Sequence, residues 1–124
     1  MSIPYDYSYV PPAPRLTIRL AAPDAAFSET GLTALVDTGA DVTIVPSRLI
    51  EPLDVQADNR KILRSPWGER RPVNVYLLDV GISDIRLPLM EVVADDRGNE
   101  VILGRNVLNR FRLVLDGLRQ PLEL

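Results

Sequence analysis

From Arg15 the chain alternates in steps of two: Leu16, Ile18 and Leu20 are apolar while Thr17 and Arg19 between them are polar, the pattern of a half-buried strand. A second strand is expected from Leu32 to Val36 and a third from Val42 to Val45, separated by Asp37-Thr38-Gly39. Pro46-Ser47 then suggests a helical turn through Ile50, with Ser47 as its N-cap. Lys61 to Arg64 and Val73 to Val80 read as the arms of a hairpin around the turn-rich Ser65-Pro66-Trp67-Gly68-Glu69, with Trp67 at its tip. Ile85 to Val93 and Val101 to Leu103 are further strands, Asn106 to Arg110 a brief helix, and Arg112 to Leu115 and Pro121 to Leu124 the last two strands. Many short strands with almost no helix predict an all-β barrel or sandwich-like domain.

The first 14 residues break this rhythm. They hold Pro4, Pro11, Pro12 and Pro14, which favour an extended backbone, with Tyr5, Tyr7 and Tyr9 alternating between them. Two readings stay open: a loosely held tail, or a strand-like arm that presents three rings to a partner or to the rest of the domain. The chain therefore divides into an arm over 1–14 and one domain over 15–124, a length at which a single core is the norm.

Composition narrows the chemistry more than the fold. There is no cysteine and no histidine among the 124 residues, which removes disulfides, thiolate nucleophiles, Ser-His and Cys-His triads and histidine-ligated zinc. Catalysis, if present, must use carboxylates, amines, hydroxyls or backbone groups. No metal site and no cofactor is expected. A formal net charge of -3 gives no electrostatic reason to expect nucleic acid. No run approaches the roughly 20 apolar residues of a membrane span, and Met1 to Pro14 lacks the pattern of a signal peptide, so a cytoplasmic protein without membrane contact is expected.

One stretch carries chemistry. In Ala34-Leu35-Val36-Asp37-Thr38-Gly39-Ala40-Asp41-Val42-Thr43 an apolar strand delivers Asp37 to a tight loop, where Gly39 allows backbone groups to crowd and Thr38 adds a hydroxyl. Alone, Asp-Thr-Gly is weak, since all three residues are at home in turns. With its flanks it resembles the active-site loop of the retropepsin-like aspartic peptidases. Val101-Ile102-Leu103-Gly104-Arg105-Asn106-Val107-Leu108 is similar to the segment that opens that family's short C-terminal helix, and the hairpin falls between the two motifs, where the family carries its flap.

The resemblance implies a single-domain acid-protease fold, a closed β-barrel with one short C-terminal helix, and an aspartic endopeptidase acting on an extended polypeptide. One loop per chain implies that the two carboxylates needed to share a proton come from Asp37 of two chains, hence a homodimer. It further implies that Thr38 bonds across the dimer axis, that Gly39, Ala40 and Asp41 contact substrate together with Trp67 and Gly68 of the flap, and that Asp41 and Arg105 pair within a subunit through a bidentate contact. Two departures stand out: the flap tip is poor in glycine, and the proline-rich arm takes the place of the short amino-terminal strand that builds the retroviral dimer sheet.

Alternatives remain. One is a catalytically weak, protease-like dimerisation or peptide-binding module. Another, an aspartyl phosphate at Asp37, fits poorly because Gly39 stands where a second acid is usual and no lysine follows Asp37. Asp95-Asp96-Arg97-Gly98-Asn99-Glu100 is rich in oxygen but lacks the spacing of a calcium loop, and reads as a polar turn.

Overall fold

The computed structural model describes residues 1–65 and 67–124. Ten strands carry most of the ordered backbone: β1 (Ser2–Pro4), β2 (Arg15–Ala21), β3 (Leu32–Val36), β4 (Thr43–Pro46), β5 (Asn59–Arg64), β6 (Arg70–Ile82), β7 (Ile85–Asp95), β8 (Val101–Leu103), β9 (Val114–Leu115) and β10 (Pro121–Glu123). Two four-residue helices, α1 (Ser47–Ile50) and α2 (Arg105–Leu108), and one 3-10 turn (Glu51–Leu53) complete it.

Strand order β2-β3-β8-β4-β7-β6 returns to β2 through a β2–β6 pairing, so six strands close into a barrel, with β5 extending β6 outward as a hairpin. Closure removes the open sheet edges along these six strands. Alternation on β2 sends Leu16, Ile18 and Leu20 inside, where they meet Val36, Leu78 and Leu103. A smaller cluster outside this core joins Val73, Val75 and Val93 to Val42, Ile44 and Leu63, and so ties the hairpin to the strand that follows the Asp37 loop.

Several boundaries differ from expectation. Ser47 is not an N-cap: Pro46 holds that position without a side-chain cap, and the Ser47 hydroxyl bonds Asp96 instead. The second helix starts at Arg105, one residue early, because the extended Gly104 ends β8 and serves as its N-cap. The strand expected from Arg112 forms only at Val114–Leu115. The turn from Ser65 to Glu69 includes Pro66, which lies outside the described residues.

The arm contains a strand. β1 pairs antiparallel with β10, which pairs in turn with β9, so a terminal sheet of three strands forms within one chain. Ile3 and Tyr5 pack on the main core beside the fully buried Leu122. Tyr9 lies against Arg15, 5.4 Å from guanidinium to ring, and its hydroxyl bonds Glu100, while Tyr7 is exposed. The arm thus carries a strand of its own, paired within the chain.

Asp79 is a fully buried acid within the apolar run of β6. Opposite it, β7 carries an extra residue between Leu87 and Met90, a bulge at which Leu89 takes a left-handed φ of 52°. The freed Leu89 N–H donates to Asp79 Oδ1 at 3.0 Å, Asp24 N–H donates to Oδ2 at 3.0 Å, and Arg86 Nε donates to Oδ2 at 2.8 Å. Arg86 is held in turn over the Phe27 ring, 4.4 Å from its centroid. One carboxylate therefore satisfies a bulge, a loop and a guanidinium at the same place.

Burial pushes the Asp79 carboxyl up, but these donors outweigh it and hold it below its ordinary value of 3.8. Asp95, near Arg71 and the Arg97 and Gly98 N–H groups, is depressed likewise. A group depressed in the folded state stabilises it fully above the unfolded value. That contribution is lost as pH falls through 3.8 toward the folded one. Denaturant unfolding at pH 6 and pH 3 is expected to show lower stability at pH 3, with a shallower pH slope in Asp79→Asn. Asp79→Ala, which leaves the Leu89, Asp24 and Arg86 donors without their acceptor, is expected to cost about 2 kcal/mol at neutral pH.

Candidate active site

β3 runs parallel to β8, with Val36 beside Leu103, and its end delivers Asp37. The Asp37 N–H donates to the Leu103 carbonyl at 3.1 Å, so the loop is tied to the neighbouring strand at its first residue. The carboxylate then caps its own turn: Gly39 N–H donates to Asp37 Oδ1 at 2.9 Å, and Ala40 N–H returns to the Asp37 carbonyl at 3.2 Å. A β-carbon at Gly39 would stand 3.2 Å from Oδ1, tight enough to disturb the carboxylate. Asp37 is half-buried, while Thr38, Gly39 and Asp41 are exposed.

Beneath the loop, two segments far apart in sequence are pressed together. A β-carbon on Gly104 would fall 2.2 Å from the Val42 carbonyl oxygen, so only glycine permits this approach. Gly104 N–H donates to Thr43 Oγ1 at 3.2 Å, the Thr43 hydroxyl donates to Asn106 Oδ1 at 2.9 Å, and Asn106 Nδ2 donates to the Glu91 carbonyl at 2.8 Å. Thr43 is fully buried, and this relay gives its hydroxyl both a donor and an acceptor.

Arg105 begins α2 and reaches back to the loop. Its N–H bonds the Ala40 carbonyl at 2.8 Å, one terminal nitrogen bonds the Thr38 carbonyl at 2.9 Å, and the other pairs with Asp41 Oδ1. The guanidinium therefore does not grip the carboxylate with both nitrogens; it divides its fork between a carbonyl and an acid. Because the pair is exposed, its ionic part adds little, and positioning of the Thr38 carbonyl is its main effect.

Trp67 and Gly68 lie at the far end of the β5–β6 hairpin. Ser65 pins that turn: its carbonyl accepts Gly68 N–H at 3.0 Å and its hydroxyl accepts Glu69 N–H at 3.1 Å. Gly68 has a φ of 86°, which a side chain would strain. Trp67 is 92% exposed, an isolated aromatic with no burial of its own. The structure thus brings Asp37, Thr38, Gly39, Ala40, Asp41 and Arg105 into one constellation and leaves Trp67 and Gly68 apart from it, at the end of the hairpin. Thr43, Asn106 and the Glu91 carbonyl were not anticipated as its supports. Their one signal in the sequence is a polar residue, Thr43, at an inward position of an otherwise apolar strand.

A closed barrel in which β3 leads into Asp-Thr-Gly, braced by a glycine and a short helix from the carboxyl-terminal part, is an acid-protease type of fold. A family model described as "gag-polyprotein putative aspartyl protease" matches residues 24–110. The chain belongs to this family, the retropepsin-like aspartyl proteases. The fold is similar to that of a crystal structure of a retropepsin-like aspartic protease from Rickettsia conorii, with a TM-score of 0.67 at 15% identity, over 98% of this chain and 86% of that one. No curated protein matches the sequence. Among the described residues, no helix is long and apolar enough to cross a membrane.

The Gly104–Val42 contact yields a direct test. Gly104→Ala forces backbone apart at the base of the loop and is expected to destabilise the fold by about 2 kcal/mol or more in urea unfolding. Thr43→Val, which keeps the shape but orphans Gly104 N–H and Asn106, is expected to cost about 1–3 kcal/mol in the same measurement.

Proposed function

We propose that this chain is an aspartic endopeptidase that hydrolyses bonds of an extended polypeptide with the Asp37 carboxylates of two chains. The observation that carries this reading is the single Asp37, half-buried at a strand end and locked by the Leu103 carbonyl and Gly39 N–H, within a chain of the aspartyl protease family. One such loop per chain makes a second copy the source of the second acid, and Thr38 would bond across the axis between the loops.

Two carboxylates about 3 Å apart cannot both ionise, so the pair holds one proton and titrates as a unit. The ionised member takes a proton from a water lying between them as the water oxygen attacks the scissile carbonyl carbon. The protonated member gives its hydrogen to the carbonyl oxygen, forming a tetrahedral diol. As the diol collapses and the C–N bond breaks, the protonated member gives its proton to the leaving amine while the other takes the proton of a diol hydroxyl, which restores the singly protonated pair. The Gly39 carbonyl and the Ala40–Asp41 backbone, held by Arg105, would bind the extended substrate as an added strand. Trp67 and Gly68 would close over it, with no cofactor or metal needed.

One observation favours a second reading, a protease-like module with little activity. The terminal sheet closes within one chain, β1 on β10, so assembly cannot use these strands as an exchanged sheet without opening that pairing.

Incubation with a denatured mixed-protein substrate from acidic to neutral pH is expected to give cleavage that Asp37→Ala abolishes, with unfolding free energy changed by less than about 1 kcal/mol. Cleavage that persists in the variant, or is absent at every pH, overturns the peptidase reading. Sedimentation in parallel is expected to show a dimer at the concentrations that support cleavage; a strict monomer favours the module.

A further inference from the structure

A cavity of about 200 Å³ lies where the end of the β5–β6 hairpin meets the loop after β7. Its lining is dominated by arginine: Arg64 and Arg70 from the two hairpin strands, Arg71 beside them and Arg97 from the loop, with Glu69 as the one acid. Arg64 and Arg70 are direct cross-strand partners, an arrangement in which like charges repel. Arg71 is neutralised by Asp95 at 3.3 Å, but among the described residues Arg64, Arg70 and Arg97 have no carboxylate within ion-pair distance. The chain as a whole is acidic, so this concentration of positive charge does not follow from its composition.

Position gives the cluster a use. Leu63 lines the same cavity and also packs into the small apolar cluster with Val42 and Ile44, the residues that follow directly on the Asp37 loop. The basic cavity therefore lies beside the packed cluster that ties the hairpin to the segment following the Asp37 loop. By register Leu63 and Arg71 share one face of the hairpin and Arg64 and Arg70 the other, so the cavity lies around the hairpin's end, where a peptide lying extended between loop and hairpin would reach it with a single side chain.

We infer that the cavity between the β5–β6 hairpin and the loop after β7 is a subsite for an acidic side chain, Asp or Glu, of the polypeptide substrate, held by Arg64, Arg70 and Arg97. The inference rests on the peptidase reading for the identity of the ligand. A carboxylate in the cavity relieves the Arg64–Arg70 repulsion and gives all three free guanidiniums a partner, and guanidinium is suited to carboxylate by its planar fork of donors.

Binding is read apart from cleavage with the Asp37→Asn chain and fluorescent decapeptides carrying a single Glu, or Gln in its place, scanned along the sequence; fluorescence anisotropy gives each Kd. At one position Glu is expected to bind at least about fivefold more tightly than Gln, an advantage that shrinks with added salt. The advantage is expected to fall below about twofold in the triple variant Arg64→Gln, Arg70→Gln, Arg97→Gln. Arg60→Gln removes a charge from the same strand outside the cavity and is expected to leave it in place, whereas Arg97→Gln alone is expected to reduce it. Equal binding of Glu and Gln at every position, no binding of any peptide, or an advantage that survives in the triple variant overturns the subsite. Using the unsubstituted chain separates the two ideas: cleavage without acidic preference removes the subsite and leaves the peptidase, while preference without cleavage does the reverse.

Discussion

The Val42 carbonyl stands where residue 104 would carry a β-carbon, and the architecture of the site follows from that contact. With glycine at 104, the segment leaving the Asp37 loop and the segment leaving β8 lie backbone to backbone, and Gly104 N–H can reach the Thr43 hydroxyl. α2 then starts beneath the loop, so that Arg105 finds the carbonyls of Thr38 and Ala40 and the Asp41 carboxylate. Asp37 is consequently held through backbone atoms at both ends, and its carboxylate needs no distant side chain to orient it. Rigid placement of this kind is what a proton-sharing site requires, since catalytic geometry tolerates errors of only about 0.5 Å.

The polar interactions divide by burial. The Thr43–Asn106 relay and the Asp79 knot are inside, where an unmet donor is expensive, so each fixes a particular irregularity: the loop crossing in one case and the β7 bulge in the other. The Arg105–Asp41 and Lys61–Glu91 pairs lie at the surface, where solvent screens them. They steer local geometry rather than hold the barrel. The barrel itself rests on the alternating apolar positions of β2, β3, β6 and β8, whose side chains meet in one core.

Those alternating positions are also what made the fold readable. β3 and β8 have the limits that periodicity predicts, because each is short, apolar and bounded by a turn residue. β6 runs further than expected in both directions, since pairing with β5 recruits the polar Arg70 and Arg71 into the ladder, which no local pattern announces. The arm was ambiguous for a similar reason: β1 exists only because β10, more than a hundred residues away, offers it an edge. The Asp37 loop was legible as a motif. Its supports were less so: the meaning of Thr43, Gly104 and Asn106 depends on a crossing that brings residues about 60 apart into contact, and Asp79 on a bulge in a different strand.

A single chain presents Asp37 half-buried, its carboxylate accepting the Gly39 N–H. Under the proposed mechanism assembly supplies what a proton-sharing pair needs, because a second Asp37 brings a like charge beside the first and the second loop excludes water. Activity would then depend on chain concentration, although the terminal sheet pairs within one chain. Under that mechanism folding and catalysis rest on different contacts: the core and the Gly104 crossing build the loop, and the meeting of two loops would build the chemistry.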